Sequence, residues 1–200
     1  MTDVYKEFIH NNVPFIYTNI ESAEMIKYAN NAYLAMKVSF VNEIANLCEK
    51  CNANIKYVTR ALGQDSRIGP HFLQSGPGYG GSCFPKDTYA LAHIGRQLSS
   101  PMTLVETLIE VNTRQKINMV SKIESALEDL SNRSLAILGL TFKPNTNDIR
   151  ESPSITIMEE LCKRGACLKV FDPQGMDEAK QKLFNLVNIE CCENEYTAIN

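Results

Sequence analysis

The sequence predicts an α/β protein in two parts: an all-helical domain built on one long helix, followed by a partial Rossmann-like parallel α/β domain. Apolar residues at helical spacing continue from about Ala23 to Lys50 without an interrupting Gly or Pro, which is typical of a single long helix. After Leu130–Arg133, short apolar runs alternate with helical patterns. This change marks the domain boundary. We therefore expect a tail at residues 1–20, the helical domain at 21–130 and the α/β domain at 131–200.

The helical domain contains four predicted helices. Ser22 can cap the long helix, which at 1.5 Å per residue would be about 40 Å long. Gly63 stands where a C-cap would end the second helix, Pro85 suits the first turn of the third, and Pro101 begins the fourth. The three later helices are expected at about 55–62, 86–98 and 101–127.

Three apolar runs predict the strands of the α/β domain, at residues 134–140, 168–173 and 188–192. Helices are expected between them at about 153–164 and 176–186, the first closed by Gly165. This alternation implies parallel strands joined by crossover helices. Three strands make a thin sheet, so we expect the domain to be truncated.

Composition excludes several classes of function. A net charge of −3 gives no electrostatic reason to expect nucleic acid or an anionic membrane as a partner. No apolar run approaches the roughly 18–20 residues that span a bilayer, and the polar N-terminus lacks the layout of a signal peptide, so a cytoplasmic location is the default. The seven cysteines suggest no disulfide framework. The three histidines form no ligand cluster, so no metal is expected.

Cys48 and Cys51 have C-x-x-C spacing near the end of the long helix, with no second pair at zinc-finger spacing. We interpret them as small apolar residues near a helix end. Cys191 and Cys192 are interpreted in the same way, as packing residues of a short strand.

The segment SGPGYGGSCFPKDTYAL (75–91) places Cys83 between a glycine-rich loop and a predicted helix. A cysteine is nucleophilic as the thiolate, and helix N-terminal N–H groups favour that anion. Lys86 adds positive charge, and the glycines remove side chains that would block a substrate. A tight turn that buries Cys83 explains the bare pattern equally well.

Two further polar pairs have helical spacing. Asp87 lies four residues after Cys83, so both would share one helix face. A carboxylate there can orient a neighbour or activate water, or simply interact with the helix dipole. Lys27 and Asn31 are four residues apart on the long helix. A solvated helix face is the default explanation for them.

The turn GLTFKPNTNDIRESPS (139–154) follows the first predicted strand and carries Lys143 and Arg150. Ligands of open α/β sheets bind at the carboxyl ends of strands. Ser152 and Ser154 open the next helix, whose N-terminus could take a phosphate. No G-x-G-x-x-G dinucleotide motif occurs in the sequence.

Three segments together resemble the UDP-glucose/GDP-mannose dehydrogenase family: SAEMIKYANNAYLAMKVSFVNEIANLCEK, DSRIGPHFLQSGPGYGGSCFPKDTYAL and LGLTFKPNTNDIRESPSITIMEEL. The order and spacing are those of the family. The segment GGSCFPKD looks like the version that acts on UDP-glucose, with GDP-mannose or a UDP-N-acetylhexosamine as alternative substrates.

The resemblance implies oxidation of a sugar nucleotide at C6, from alcohol to carboxylate, with two NAD⁺. Cys83 would hold the aldehyde as a thiohemiacetal and then a thioester, since a four-electron oxidation without aldehyde release needs a covalent anchor. The implied catalytic residues are Cys83, Lys27, Asn31 and Asp87. The implied substrate-binding residues are Lys27, Arg67, Phe72, Leu73, Ser75, Tyr79, Gly80 and Lys143, and the implied cofactor-binding residues are Lys86 and Arg150.

The chain also departs from the family. Residues 1–20 resemble the tail of the family's N-terminal NAD-binding domain, which is otherwise missing, and the UDP-sugar-binding domain at 131–200 is partial. We therefore expect a fragment that does not reduce NAD⁺ alone. A non-catalytic dimerising module that still holds a sugar nucleotide is the alternative.

A homodimer through the long helix is expected, because the helix is too long for the few remaining elements to cover. Ala29, Ala32, Ala35 and Met36 widen its apolar surface and allow close helix approach. By resemblance, Arg67 would then reach the substrate of the partner subunit.

Overall fold

A computed structural model describes residues 3–11, 13–183 and 188–200 of the chain. Within them lie eight helices and three strands: α1 (Lys6–His10), α2 (Ile20–Lys50), α3 (Ile55–Gln64), α4 (Phe84–Gln97), α5 (Thr103–Leu127), β1 (Ser134–Leu138), α6 (Pro153–Lys163), β2 (Cys167–Phe171), α7 (Met176–Leu183), β3 (Ile189–Cys191) and α8 (Glu195–Ile199). The predicted helical part followed by a parallel α/β part is confirmed.

Two predicted helix caps are wrong. The long helix α2 is capped by Asn19, whose Oδ1 accepts a hydrogen bond of 3.0 Å from the backbone N–H of Ser22. Ser22 is therefore the capped residue and not the cap. Gly63 lies inside α3, which continues to Gln64. A Cβ at Gly63 would lie 3.1 Å from Pro70 Cα, so this glycine permits close packing of a loop.

The core of the helical part lies between α2, α4 and α5. Ala32 packs with Leu91, Ala92 and Val105, and Ala35 packs with Tyr79 and Leu108. The alanines allow α2 to approach the other two helices closely. Since Ala32 and Ala35 are 7% and 0% exposed within one chain, the prediction that they form a dimer surface is wrong.

The three strands form one parallel sheet in the order β1-β2-β3. Ser134 pairs with Cys167, Leu138 with Phe171, and Leu168 with Ile189. Strand β1 ends earlier than predicted because Gly139 turns the backbone at φ +97°. The end of the predicted helix 176–186 lies outside the described residues from 184 onward.

Asp172 fixes the turn that follows β1. Its carboxylate accepts hydrogen bonds from the backbone N–H groups of Leu140 (2.7 Å), Gln174 (2.8 Å) and Gly175 (2.7 Å). This turn carries Lys143 and Arg150, which were predicted to contact a ligand, so the buried carboxylate of Asp172 helps to fix their position.

Helix α5 joins the two parts of the molecule. Val120 of α5 is fully buried in the same apolar cluster as Met158 and Leu161 of α6 and Val170 of β2. The helical part and the α/β part therefore share a packed boundary. None of the helices in the described residues is both long and apolar enough to cross a bilayer. All seven cysteines are free; Cys48 and Cys192 are buried, whereas Cys51 and Cys191 are exposed.

Candidate active site

Cys83 is the N-cap residue of α4 and its side chain is exposed. The helix begins at Phe84, two residues earlier than predicted, with Pro85 in its first turn. The thiol lies beside the hydroxyl of Ser82, with 3.8 Å between Sγ and Oγ. The interpretation of Cys83 as a buried turn residue is therefore wrong, and the thiol is placed where a solute can reach it.

A series of hydrogen bonds connects α2 to the first turn of α4. Lys27 Nζ donates to Asn31 Oδ1 at 3.4 Å, and Asn31 Nδ2 donates to Asp87 Oδ2 at 2.5 Å. Lys86 Nζ reaches the other carboxylate oxygen of Asp87 at 2.5 Å. Asn31 and Asp87 are 4% and 2% exposed. The expectation of a solvated helix face holds for exposed Lys27 and is wrong for Asn31, because α4 covers it.

The surroundings of Asp87 keep its carboxyl ionised. Burial is the largest influence on the pKa of Asp87 and acts to raise it, but hydrogen bonds from Lys86 and Asn31 and the charges of Lys86 and Lys27 together hold the pKa below its ordinary value. The hydrogen bond and charge of Asp87 in turn raise the pKa of Lys86. The site therefore holds one buried carboxylate between two cationic side chains.

The glycines before Cys83 serve the approach of two backbone segments. A Cβ at Gly80 would lie 2.2 Å from Glu151 O, and one at Gly81 would lie 2.7 Å from the Phe142 ring. Gly81 N donates to Arg150 O at 2.8 Å. At these two positions the expectation that glycine makes room for a substrate is wrong, since the room is filled by the turn after β1.

This contact creates a cationic cavity beside Cys83 with a volume of about 370 Å³. It is lined by Gly81, Ser82, Pro85, Lys86, Tyr89, Arg150, Glu151 and Lys182. Lys86 and Arg150, both predicted to bind the cofactor, thus meet at one place. Lys182 was missed, because nothing in the sequence around α7 connects it to the cysteine loop.

Arg150 is oriented by Asp148, with 2.7 Å between guanidinium and carboxylate. The same contact lowers the pKa of Asp148 and raises that of Arg150.

The predicted substrate-binding residues of the glycine loop lie in different environments. Phe72 is 42% exposed and its ring lies 5.9 Å from that of Phe84, whereas Leu73 is buried. Ser75 is exposed, and Tyr79 and Gly80 are buried. Burial raises the pKa of Tyr79 to about 12, so its phenol is neutral.

Arg67 and Lys143 are not brought into the hydrogen-bonded series. The Arg67 side chain is 87% exposed and pairs with Asp65 at 2.6 Å. Lys143 Nζ lies 5.3 Å from the ring centroid of Phe142. The ring of Phe142, the residue before Lys143, also packs on Gly81. The turn that carries Lys143 therefore contacts the cysteine loop through Phe142.

Comparison with known proteins matches both parts of the chain to one class of oxidoreductase. Residues 21–114 match the UDP-glucose/GDP-mannose dehydrogenase family, central domain. Residues 136–200 match the UDP binding domain of the same family. The chain belongs to the UDP-glucose/GDP-mannose dehydrogenase family and carries its central and UDP-binding domains.

Among curated relatives, a UDP-glucose 6-dehydrogenase of Rhizobium meliloti is 46% identical over 199 residues, covering 99% of this chain and 45% of its own length. The UDP-glucose 6-dehydrogenase TuaD of Bacillus subtilis is 48% identical over 168 residues, covering 84% of this chain and 36% of its own length. A solved UDP-glucose dehydrogenase from Pyrobaculum islandicum superposes with a TM-score of 0.89 at 38% identity, covering 96% of this chain and 44% of that one. The chain thus spans less than half the length of these relatives.

Proposed function

We propose that the chain supplies the substrate-oxidising residues of an NAD-dependent UDP-glucose 6-dehydrogenase, which converts UDP-glucose to UDP-glucuronate. The observation that carries the proposal is the hydrogen-bonded series from Lys27 through Asn31 to buried Asp87, one helical turn from the exposed Cys83. The names of the two curated relatives support UDP-glucose as the substrate.

The proposed chemistry has two oxidations at one carbon. The first removes a hydride from C6 and the proton of its hydroxyl, giving an aldehyde. Cys83 Sγ then bonds to C6, and its proton passes to the carbonyl oxygen, giving a thiohemiacetal. Loss of a second hydride and the hydroxyl proton gives a thioester. Water adds to the thioester carbonyl and the C–S bond breaks, which releases the C6 carboxylate. One proton of the water returns to the Cys83 thiol and the other passes to Asp87. NAD⁺, when bound, accepts the hydride in each oxidation.

Each residue of the series has a role that follows from its position. Lys27 is exposed and has ammonium N–H groups beyond the one given to Asn31, and these can stabilise negative charge on the C6 oxygen. Asn31 holds Lys27 on one side and Asp87 on the other. Asp87 is an ionised acceptor, so it can receive a proton from the hydrolytic water.

The cationic cavity fits an anionic group such as the phosphates of a dinucleotide. Lys86, Arg150 and Lys182 carry three positive charges around it against the one negative charge of Glu151, and charge-assisted hydrogen bonds from such side chains bind phosphate oxygens strongly. Lys86 and Arg150 are therefore the proposed cofactor contacts, in a cavity that Ser82, the neighbour of Cys83, also lines.

The proposed substrate contacts lie along the glycine loop and the turn after β1. Phe72, Leu73, Ser75, Tyr79 and Gly80 would bind the sugar nucleotide along the loop. Lys143 would approach from the turn.

We also propose a homodimer through α2, with the buried Ala32 and Ala35 left out of the surface and Tyr33 and Phe40 added beside the predicted Met36. These side chains are 55%, 37% and 53% exposed and lie with Leu62 and Ile68 around an apolar cavity of about 230 Å³. A two-fold interface is the commonest way to cover such a surface. The exposed Arg67 would then be free to reach the partner's site.

Titration calorimetry of the purified chain tests the proposed substrate. We expect UDP-glucose to bind more tightly than GDP-mannose or UDP-N-acetylmannosamine. Preferential binding of GDP-mannose would assign a different substrate. Binding of none of the three would show that this chain does not hold a sugar nucleotide.

A further inference from the structure

The glycine loop is held by amide side chains from two helices. Gly76 N donates to Asn42 Oδ1 at 2.8 Å, and Gly76 O accepts from Gln115 Nε2 at 2.8 Å. Three residues further on, Tyr79 N donates to Asn112 Oδ1 at 2.8 Å and Tyr79 O accepts from Asn112 Nδ2 at 3.1 Å. Four backbone groups of a segment without helix or strand are thus satisfied by three side chains.

These amides are buried and partly held in place themselves. Asn42, Asn112 and Gln115 are 1%, 7% and 6% exposed. Gln115 Oε1 accepts a hydrogen bond of 2.7 Å from Asn46 Nδ2. A buried amide is costly unless it is hydrogen-bonded, so the contacts with the loop account for Asn112 and Gln115 in the packed interior of α5. Asn42 of α2 is satisfied at Oδ1, whereas its Nδ2 has no partner among the described residues.

The fit between the loop and α5 is close. Gly78 has φ +124°, and a Cβ there would lie 2.9 Å from Asn112 Oδ1. A side chain at residue 78 would therefore push the loop away from the amide that binds Tyr79. Glycine at this position and asparagine at residue 112 are complementary.

Tyr79 transmits the position of the loop to the nucleophile. Its ring meets the ring of Phe84 edge-on, with 5.9 Å between centroids. Phe84 is the first residue of α4 and directly follows Cys83. The contacts therefore run from Asn112 to the Tyr79 backbone, from the Tyr79 ring to Phe84, and from Phe84 to Cys83.

We propose that Asn112 and Gln115 are positioning residues that fix the path of the glycine loop and thereby the position of Cys83. Neither residue was singled out by the sequence pattern. The catalytic meaning of this inference rests on the proposed function, whereas the geometry is testable without a sugar nucleotide.

The test compares the chain with Asn112→Leu and with the matched control Asn118→Leu, which makes the same change on α5 beside an open groove. We expect Asn112→Leu to speed hydrogen exchange at the Tyr79 amide about tenfold, since it removes a hydrogen bond to a buried donor. The rate of Cys83 alkylation by iodoacetamide should rise severalfold, because the released loop exposes the thiol in more orientations. Peptide mass spectrometry measures this rate, with the exposed Cys51 as internal reference. Asn118→Leu should change neither rate.

Asn112→Asp provides the rescue and covers the case in which the leucine variant does not fold. A carboxylate keeps the acceptor for the Tyr79 N–H and loses the donor to Tyr79 O, so Tyr79 exchange and Cys83 alkylation should both stay close to the wild-type rates. Gln115→Leu removes the donor to Gly76 O and should raise the rate of Cys83 alkylation. Faster exchange at Tyr79 with unchanged Cys83 alkylation would overturn the positioning role. Unchanged exchange in Asn112→Leu would overturn the inference altogether.

Discussion

Asn31 and Asp87 come from helices that are distant in sequence and meet in a contact of 2.5 Å at positions almost without solvent. An unpartnered buried carboxylate is strongly unfavourable, yet Asp87 remains ionised because Asn31 and Lys86 donate to it. These contacts of the Asp87 carboxylate therefore keep the site charged and make the stability of the chain depend on pH.

The acid stability of the chain should depend on Asp87. Because its pKa is lower in the folded state than the ordinary value of about 3.9, its contribution is complete above that value and is lost as the pH falls through the folded pKa. Wild type should therefore lose more unfolding free energy than Asp87→Asn between about pH 5 and pH 3. Urea unfolding at each pH measures this, with Asp177→Asn on α7 as the exposed control. Parallel pH curves for wild type and Asp87→Asn would contradict the account.

At the scale of elements, the loop before α4 is shaped by what it touches. Gly80 lies against Glu151, in the segment that leads into α6, and Gly81 lies against Phe142 in the turn after β1. Gly76, in contrast, has open space around its ideal Cβ and no positive φ. Substitution of these three glycines should therefore lower the free energy of unfolding by different amounts.

Gly80→Ala should be far more damaging than Gly76→Ala. The new methyl at residue 80 would overlap a backbone oxygen at 2.2 Å, so the loop or residue 151 must move, which costs about 1–3 kcal/mol. Gly76→Ala should change the free energy of unfolding by less than about 0.5 kcal/mol. Urea unfolding of both variants measures the difference. Equal stability of the two would show that the loop does not lie against Glu151.

The sequence predicted the elements whose residues have a strong local pattern. Apolar periodicity placed α2 and α5, Pro85 placed α4, and apolar runs placed the strands. The five-residue helices α1 and α8 were missed because they are too short to show a period. The cap of α2 was misplaced because Asn19 and Ser22 are both good capping residues.

The candidate site was predictable where one motif contains it and not where distant segments meet. Cys83, Lys86 and Asp87 stand within five positions, and the resemblance linked them to Lys27 and Asn31. The contacts of Asn112 with Tyr79 and the approach of Lys182 to Lys86 depend on how helices pack, for which a single sequence carries no local pattern.

At the scale of the whole molecule, two surfaces remain to be explained: the cationic cavity and the exposed apolar face of α2. The cavity lies where the helical part and the α/β part meet, so the site depends on both. The face around Tyr33, Met36 and Phe40 lies on the longest helix and has no cover within the described residues. The proposed dimer would bury it.

Phe40→Asp should convert a dimer into a monomer, because a charge in the centre of an apolar interface is strongly unfavourable. Light scattering after size exclusion should give twice 22.4 kDa for wild type and a single chain mass for the variant. Leu104→Asp on α5, where the side chain is 78% exposed, should remain a dimer. A wild-type monomer at micromolar concentration would rule out the interface.

The central claim is that Cys83 bonds to C6 of the substrate, and the C6 aldehyde of UDP-glucose tests it most directly. Thiol addition to an aldehyde needs no oxidant, so the proposed bond can be tested in this chain without NAD⁺. With the aldehyde labelled by ¹³C at C6, the account predicts a carbon resonance of a thiohemiacetal in wild type that is absent from Cys83→Ser. A ligand that binds wild type without that resonance, or a resonance that persists in Cys83→Ser, would contradict the account.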